Sequence, residues 1–118
     1  MAKYLFKASL SPEGVAGVLA EGGTARRTVV KSAIEALGGK LESFYWSFGD
    51  DDFLGIIEVP DDTAAAAFSV AVGSTGSLRN LRTIKLISPE EGRKLLEKAK
   101  ATKAVYSPPG TRAPAGVR

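Results

Sequence analysis

The sequence predicts an α+β domain in which the element order β-α-β-β-α-β builds one four-stranded antiparallel sheet. The first observation behind this prediction is a stretch at 44–60, where two aromatic or β-branched runs meet at Gly49-Asp50 and indicate a hairpin. The second is an alternating strand pattern before the hairpin, with helical patterns on either side of it. A further helix and an extended tail follow the fourth strand.

The first strand and the helices after it are marked by short signals. Residues 3–10 alternate, with apolar side chains at every second position, which is typical of a strand. Ser11-Pro12-Glu13 indicates a helix start, because it combines an N-cap, a proline at the first helical position and an acid in the first turn. Glycines at 22–23 predict a break, and Thr24 is expected to cap a second helix that stops at 38–39.

The second strand, predicted over residues 40–48, carries aromatic side chains on both faces. Strict alternation places Tyr45 on one face and Phe44, Trp46 and Phe48 on the other. A strand with a solvent-facing side needs no aromatics there, so we expect something beyond the domain's own helices to cover them. Phe44, Trp46 and Phe48 are therefore the predicted oligomer interface.

The remaining elements complete the sheet. Residues 53–59 form the third strand, and Asp61 or Asp62 is expected to cap a helix over 63–72. The fourth strand lies within 79–87, and Ser88-Pro89 repeats the earlier start signal before a basic helix. We predict a domain over residues 1–103 and a Pro/Gly-rich basic tail over 104–118.

Composition restricts the possible chemistry. The 118 residues include no cysteine and no histidine, so thiolate chemistry, iron-sulfur clusters and imidazole ligands are excluded. No cofactor and no metal site is predicted, and no catalytic residue can be assigned. The first residues alternate instead of forming a signal peptide, and no apolar run approaches the roughly 18 residues of a membrane span. We expect a cytoplasmic protein without a membrane partner.

The positive net charge of +3 belongs to the end of the chain. Residues 1–93 hold ten basic and twelve acidic side chains, whereas residues 94–118 hold six and one. A nucleic-acid reader usually has its basic patch on the folded domain. An RNA-recognition domain shares the element order, but its third strand needs a basic and aromatic pattern that Asp52-Phe53-Leu54-Gly55 lacks. A nucleic-acid partner is not favoured.

Several motifs resemble a known family. The element order resembles the ferredoxin-like fold. Over roughly residues 1–92, the chain is similar to GYD-domain proteins in the following segments: Met1 to Ser9, Ser11 to Val15, Gly22 to Arg27, Leu37 to Leu41, Phe48-Gly49-Asp50, and the alanines at 64–67. The tyrosine of the family's Gly-Tyr-Asp-like turn corresponds to Asp51 here. The resemblance implies a dimeric α/β barrel, in which two sheets pack face to face around a pocket, and it implies no activity.

Three groups of residues could form a site. Asp50, Asp51 and Asp52 could hold a hard cation, but consecutive residues on a turn do not converge, and turn chemistry is the simpler interpretation. Tyr4, Tyr45, Trp46 and Glu58 could line an interfacial ligand pocket, with Glu42 or Glu58 as a proton acceptor. Arg26 and Arg27 follow two glycines at a helix start and could bind an anion.

Two functions follow from these observations. The first is a small domain that forms a homo-oligomer and has a binding or structural role. The alternative is a cofactor-independent enzyme or small-molecule binder of the dimeric α/β-barrel type with an interfacial pocket. The tail over 104–118 is predicted to dock on a neighbouring subunit or a larger assembly.

Overall fold

The computed structural model describes residues 1–111 and confirms the predicted α+β fold. The elements, in chain order, are β1 Ala2–Leu10, α1 Pro12–Glu21, α2 Gly23–Ala36, β2 Lys40–Trp46, β3 Phe53–Val59, α3 Asp62–Gly73, β4 Leu78–Leu86 and α4 Pro89–Lys103. The chain divides into one compact unit over Met1–Leu86 and a second from Ile87 onward. Residues 112–118 of the predicted tail lie outside the described residues, and the predicted domain boundary at residue 103 stays a prediction.

A single antiparallel sheet forms the first unit. Its strand order is β2-β3-β1-β4, so β1 and β3 are central and β2 and β4 are the edges. Leu5 pairs with Ile56 of β3 on one side and with Ile84 of β4 on the other. This pairing fixes which side chains share a face, because successive residues of a strand point to opposite faces.

The core lies between one face of this sheet and helices α1, α2 and α3. Phe6 and Ile57 of the sheet and Ile34 of α2 are at most 1% exposed, and Phe68 of α3 packs its ring against Phe6 at a centroid distance of 5.7 Å. The alternating apolar face of β1 therefore faces the helices. The opposite face of the sheet is not covered by α1, α2 or α3.

The predicted helix starts are confirmed at three positions. The hydroxyl of Ser11 accepts a hydrogen bond from the backbone N–H of Gly14, and Ser88 accepts one from Glu91 in the same way. Asp61, not Asp62, caps α3 by accepting from the N–H of Ala64. These contacts satisfy amide groups that have no partner within the helix.

Two predicted boundaries are wrong. The cap of α2 is Gly22, which adopts a φ of 92° and makes no side-chain hydrogen bond, and Thr24 already lies inside the helix. A glycine adopts this left-handed conformation without strain, so the turn between α1 and α2 needs no side-chain cap. Strand β2 ends at Trp46 instead of Phe48, because Ser47 donates its N–H across the turn to the carbonyl of Asp52.

A bulge in β2 corrects the predicted faces of that strand. The pairing with β3 shifts between Leu41 and Ser43, so Glu42 is the extra residue and the alternation resets there. Phe44 and Trp46 consequently lie on the same face as Leu41, which is the helix side of the sheet. Only Tyr45 among the aromatic residues of β2 faces the other way.

The second unit contains α4, which Ser88 caps and which has Lys100 and Lys103 in its last turn. Acids in the first turn and bases in the last turn both match the helix dipole. Among residues 1–111, none of the helices combines the length and hydropathy that crossing a bilayer requires.

Candidate functional site

The uncovered face of the sheet, which we call the open face, presents three rows of side chains across the strands. Strand pairing and alternation place the rows as follows: a central row of Ser43, Ile56, Leu5 and Ile84; one outer row of Lys40, Glu58, Lys3 and Leu86; and another of Tyr45, Leu54, Lys7 and Arg82. The central row has no charge, and each outer row carries charges. An apolar centre with a polar rim is the usual composition of a protein interface.

The apolar side chains of the open face are incompletely buried. Leu5, Leu54 and Ile56 are half-buried, while 41% of Ile84 and 63% of Tyr45 are exposed. The Phe, Ile and Val side chains on the helix side of β1 and β3 are at most 4% exposed. The open face is thus an apolar surface without a covering layer within Met1–Leu86.

Charged groups at one edge of the open face are paired. Lys3 Nζ lies 3.1 Å from the nearer carboxylate oxygen of Glu42, the bulged residue. The hydrogen bond from Lys3 to Glu42 and the attraction between their charges raise the pKa of Lys3. Because about two fifths of each side chain is exposed, the pair contributes little to the stability of the fold.

The acidic turn between β2 and β3 is fastened to the ends of β1 and β4. Both carboxylate oxygens of Asp51 accept hydrogen bonds from Arg82 at 2.7 Å, and Lys7 lies 3.9 Å away. Asp52 accepts from the backbone N–H of Leu10 at 2.7 Å. The carboxylates therefore hold the turn in place, as the simpler interpretation of this segment predicts.

Tyr4, Asp62 and Lys85 form a cluster beside α3. The Tyr4 ring is buried, and its hydroxyl donates a hydrogen bond to the carboxylate of Asp62, which also accepts one from Lys85 at 3.0 Å. The hydrogen bond to Asp62 raises the pKa of Tyr4. The hydrogen bonds from Tyr4 and from Lys85 lower the pKa of Asp62. The Asp62 carboxylate therefore lies between the Tyr4 hydroxyl and the Lys85 ammonium group and accepts a hydrogen bond from each.

The four predicted ligand residues lie on two different faces. Tyr4 and Trp46 are on the helix side, whereas Tyr45 and Glu58 are on the open face. Trp46 donates its indole N–H to the carbonyl of Gly23 at 3.1 Å, which ties β2 to the start of α2. Within one chain, the four side chains do not converge on one pocket.

The predicted interface residues are also separated. Phe44 stacks on Phe53 at 5.6 Å, and Trp46 packs edge-on against both rings. Phe48, in the turn after β2, is fully exposed. Of the predicted interface residues, Phe48 is the one whose ring has no protein cover among the described residues.

The two predicted anion-binding arginines differ in their surroundings. The guanidinium of Arg26 lies 2.9 Å from the carboxylate of Glu21, while Arg27 is exposed on α2. Over residues 1–111, no three acidic side chains are grouped closely enough to hold a metal ion.

The strand order and the helices on one face of the sheet define the ferredoxin-like class of α+β domains. The family model described as the GYD domain matches residues 4–96, so the chain belongs to the GYD domain family. This result confirms the resemblance predicted from the sequence.

The comparisons with curated proteins and with solved structures add no information on function. A comparison with curated proteins finds no match. One solved structure, described as "crystal structure of FFRP-DM1", is similar at 12% identity and a TM-score of 0.49, and the match covers 74% of this chain and 100% of that chain. A likeness at this level supports no inference about the chain.

The residues that the sequence analysis missed are those of the central row. Leu5, Ile56 and Ile84 occupy the second face of their strands. Their signal was present in the sequence, because an apolar residue occurs on both faces of β1 and β3.

Proposed function

We propose that this GYD-domain protein forms a homo-oligomer in which the open faces of two copies pack against each other. The observation that carries the proposal is the uncharged central row of Ser43, Ile56, Leu5 and Ile84 between two rows that carry charges. Covering this row with a second sheet removes apolar side chains from water, at about 25 cal/mol per Å² of buried apolar surface.

The distribution of charge is compatible with a second copy as the occupant. The charges on both outer rows are largely matched within one chain, because Lys3 pairs with Glu42 and both Arg82 and Lys7 lie against Asp51. A rim with balanced charges gives no preference to a partner of a single charge sign. A two-fold axis places the uncharged central row of one copy against the same row of the other, so each copy covers the apolar side chains of its partner.

Phe48 and Tyr45 lie at the margin of this surface. Both rings are largely exposed, and aromatic side chains often contribute most to the energy of an interface. We propose that Phe48 contacts the neighbouring copy. Participation of Phe44 and Trp46 stays a prediction, because their rings already pack against Phe53.

A pair of matched substitutions tests the assembly. Ile84→Glu puts a charge into the central row, whereas Val70→Glu puts the same charge on α3, where the valine is 72% exposed. A buried unpaired carboxylate costs several kcal/mol, so Ile84→Glu raises the dissociation constant at least tenfold. Sedimentation velocity over a dilution series measures this constant. Equal association of the two variants, each checked for folding by circular dichroism, contradicts the proposal.

The remaining functional expectations stay predictions. An enzyme or binder that uses Tyr4, Tyr45, Trp46 and Glu58 is one of them, and packing of two open faces brings only Tyr45 and Glu58 of this set to the interface. Docking of the tail is tested by deleting residues 104–118. Continued association of the shortened chain assigns the assembly to the sheet, and loss of association assigns it to the tail.

A further inference from the structure

Strand β2 forms one edge of the sheet, so one side of its backbone has no neighbouring strand. At its end, Ser47 donates its N–H towards β3, to the carbonyl of Asp52. The backbone groups of successive residues in an antiparallel strand point alternately to opposite edges. The N–H and C=O groups of Phe44 and Trp46 therefore point to the free side of β2.

The second half of this edge lacks the features that usually prevent strand pairing. Natural proteins protect edge strands with charges, prolines and bulges. In β2, Lys40 and the bulge at Glu42 lie in the first half of the strand. The run from Ser43 to Trp46 is uncharged, and three of its four residues are aromatic, which favours extended backbone. This part of the edge can therefore accept another strand.

A groove of about 580 Å³ lies between this edge and α2. Its lining includes Phe44 of β2 and two cations of α2, Arg27 and Lys31. Both cations are exposed, and among residues 1–111 neither forms an ion pair. The acid in the lining, Glu42, is already paired with Lys3. The groove therefore presents unpaired positive charge beside unpaired backbone groups.

We propose that the free edge of β2 adds an extended segment of another protein, which carries two acidic side chains two residues apart that face Arg27 and Lys31. These cations lie one helical turn apart, which is about 6 Å along α2. Side chains two residues apart in a strand are separated by about 6.6 Å, so the two spacings match. Hydrogen bonds to the backbone of Phe44 and Trp46 supply affinity, and the carboxylates supply specificity.

A second copy of the chain fits this edge less well. Antiparallel pairing of two β2 strands about a two-fold axis puts both α2 helices on the same side of the joined sheet. Arg27 and Lys31 of both copies then lie beside the same junction, where like charges repel. An acidic segment instead neutralises them. Because the edge is not part of the open face, this proposal does not depend on the assembly proposed above.

The direction of the added segment determines the order of its side chains. Trp46 contacts Gly23 at the start of α2, and the chain passes from the end of α2 into β2, so the two elements run antiparallel. Arg27 therefore lies nearer to the Trp46 end of the edge than Lys31 does. In a segment antiparallel to β2, a residue opposite Trp46 comes first, and the two acids follow, the first of them opposite Phe44.

NMR titration of the ¹⁵N-labelled full chain with a capped peptide, Thr-Val-Thr-Glu-Thr-Glu-Thr, tests the proposal. We expect saturable shifts of amides in β2 and α2. The matched peptide with glutamine in place of both glutamates keeps the shape without the charge. It should bind about fivefold more weakly, as expected for two exposed ion pairs. Absence of saturation by the glutamate peptide, or equal binding of the two peptides, overturns the proposal.

Methylated peptide amides test the addition of a strand. In the proposed pairing, the N–H groups of both glutamates point to β2, and those of the threonines before them point away. N-methylation of the two glutamate amides should therefore weaken binding more than tenfold. N-methylation of the two preceding threonine amides should change it less than threefold. Equal effects of the two modifications overturn the backbone pairing.

Two charge reversals assign the binding to this groove. Lys31→Glu should weaken the glutamate peptide at least tenfold, whereas Lys94→Glu, which makes the same change of net charge on α4, should change it less than twofold. Equal weakening by both overturns the location. Ile84→Glu, in the open face, should bind the peptide as the wild type does, and loss of binding in this folded variant overturns the placement at the edge.

Discussion

Replacing Gly14 by alanine tests the close approach between α1 and the start of β4. A Cβ at this position lies 2.2 Å from the carbonyl oxygen of Ser77, whereas an ordinary contact begins at about 3.4 Å. The helix and Ser77 must therefore separate by about 1.2 Å. The same carbonyl accepts the backbone N–H of Ser11 at 2.9 Å, and this hydrogen bond breaks at such a separation.

The expected effect is the sum of three contributions. Overpacking costs about 1–3 kcal/mol. Loss of the Ser11 hydrogen bond costs about 1 kcal/mol. Alanine in a helix gains about 0.5–1 kcal/mol over glycine. Gly14→Ala should thus lower the free energy of unfolding by about 2 kcal/mol.

Gly17 provides the matched control in the same helix. A Cβ there meets no atom within 4 Å, so Gly17→Ala keeps only the propensity gain and raises the free energy of unfolding by about 0.5–1 kcal/mol. Urea unfolding followed by far-UV circular dichroism measures both variants at one protein concentration, because association couples stability to concentration. If Gly14→Ala proves as stable as Gly17→Ala, the close approach of α1 to Ser77 is refuted.

Two further predictions concern the charged groups. Asp51→Asn removes the ion pair with Arg82, so we expect it to lower the free energy of unfolding by about 1 kcal/mol in urea titrations. Asp50→Asn is the matched control. Asp50 contacts Ser9 through its backbone carbonyl, which the substitution keeps, so the free energy of unfolding should change little. The lowered pKa of Asp62 predicts that the stability of the fold falls below about pH 4, and the raised pKa of Tyr4 predicts that it falls again above about pH 10. Thermal unfolding measured across this pH range tests both predictions. We expect Tyr4→Phe to reduce the loss of stability at the acidic end and at the basic end.

The sign of each pH effect follows from proton binding. Below about pH 4 the unfolded chain binds a proton at Asp62 before the folded protein does, so acid favours unfolding. Above about pH 10 the unfolded chain loses the Tyr4 proton first, so base also favours unfolding. A Tyr4→Phe profile identical to the wild type would show that the cluster does not contribute. Equal losses for Asp51→Asn and Asp50→Asn would contradict the role of the Arg82 pair.

The order of the elements could be predicted from the sequence because its signals are local. Ser11-Pro12 and Ser88-Pro89 mark helix starts by the chemistry of their own backbone, and both proved to be caps. The hairpin followed from aromatic and β-branched runs on either side of a Gly-Asp turn. Membership of the GYD family followed from short segments spread over the same region.

The faces of β2 could not be predicted, because a bulge has no dependable local signal. One extra residue at Glu42 exchanges the faces of every residue after it, so strict alternation groups Phe44 and Trp46 with Glu42, whereas in the structure they share a face with Leu41.

Native mass spectrometry of the wild-type chain at micromolar concentration and near-neutral pH tests assembly through the open face most directly. Pairing of two open faces about a two-fold axis predicts a dimer, or a larger species with an even number of subunits. A spectrum that contains only the monomer across the concentration range would contradict it.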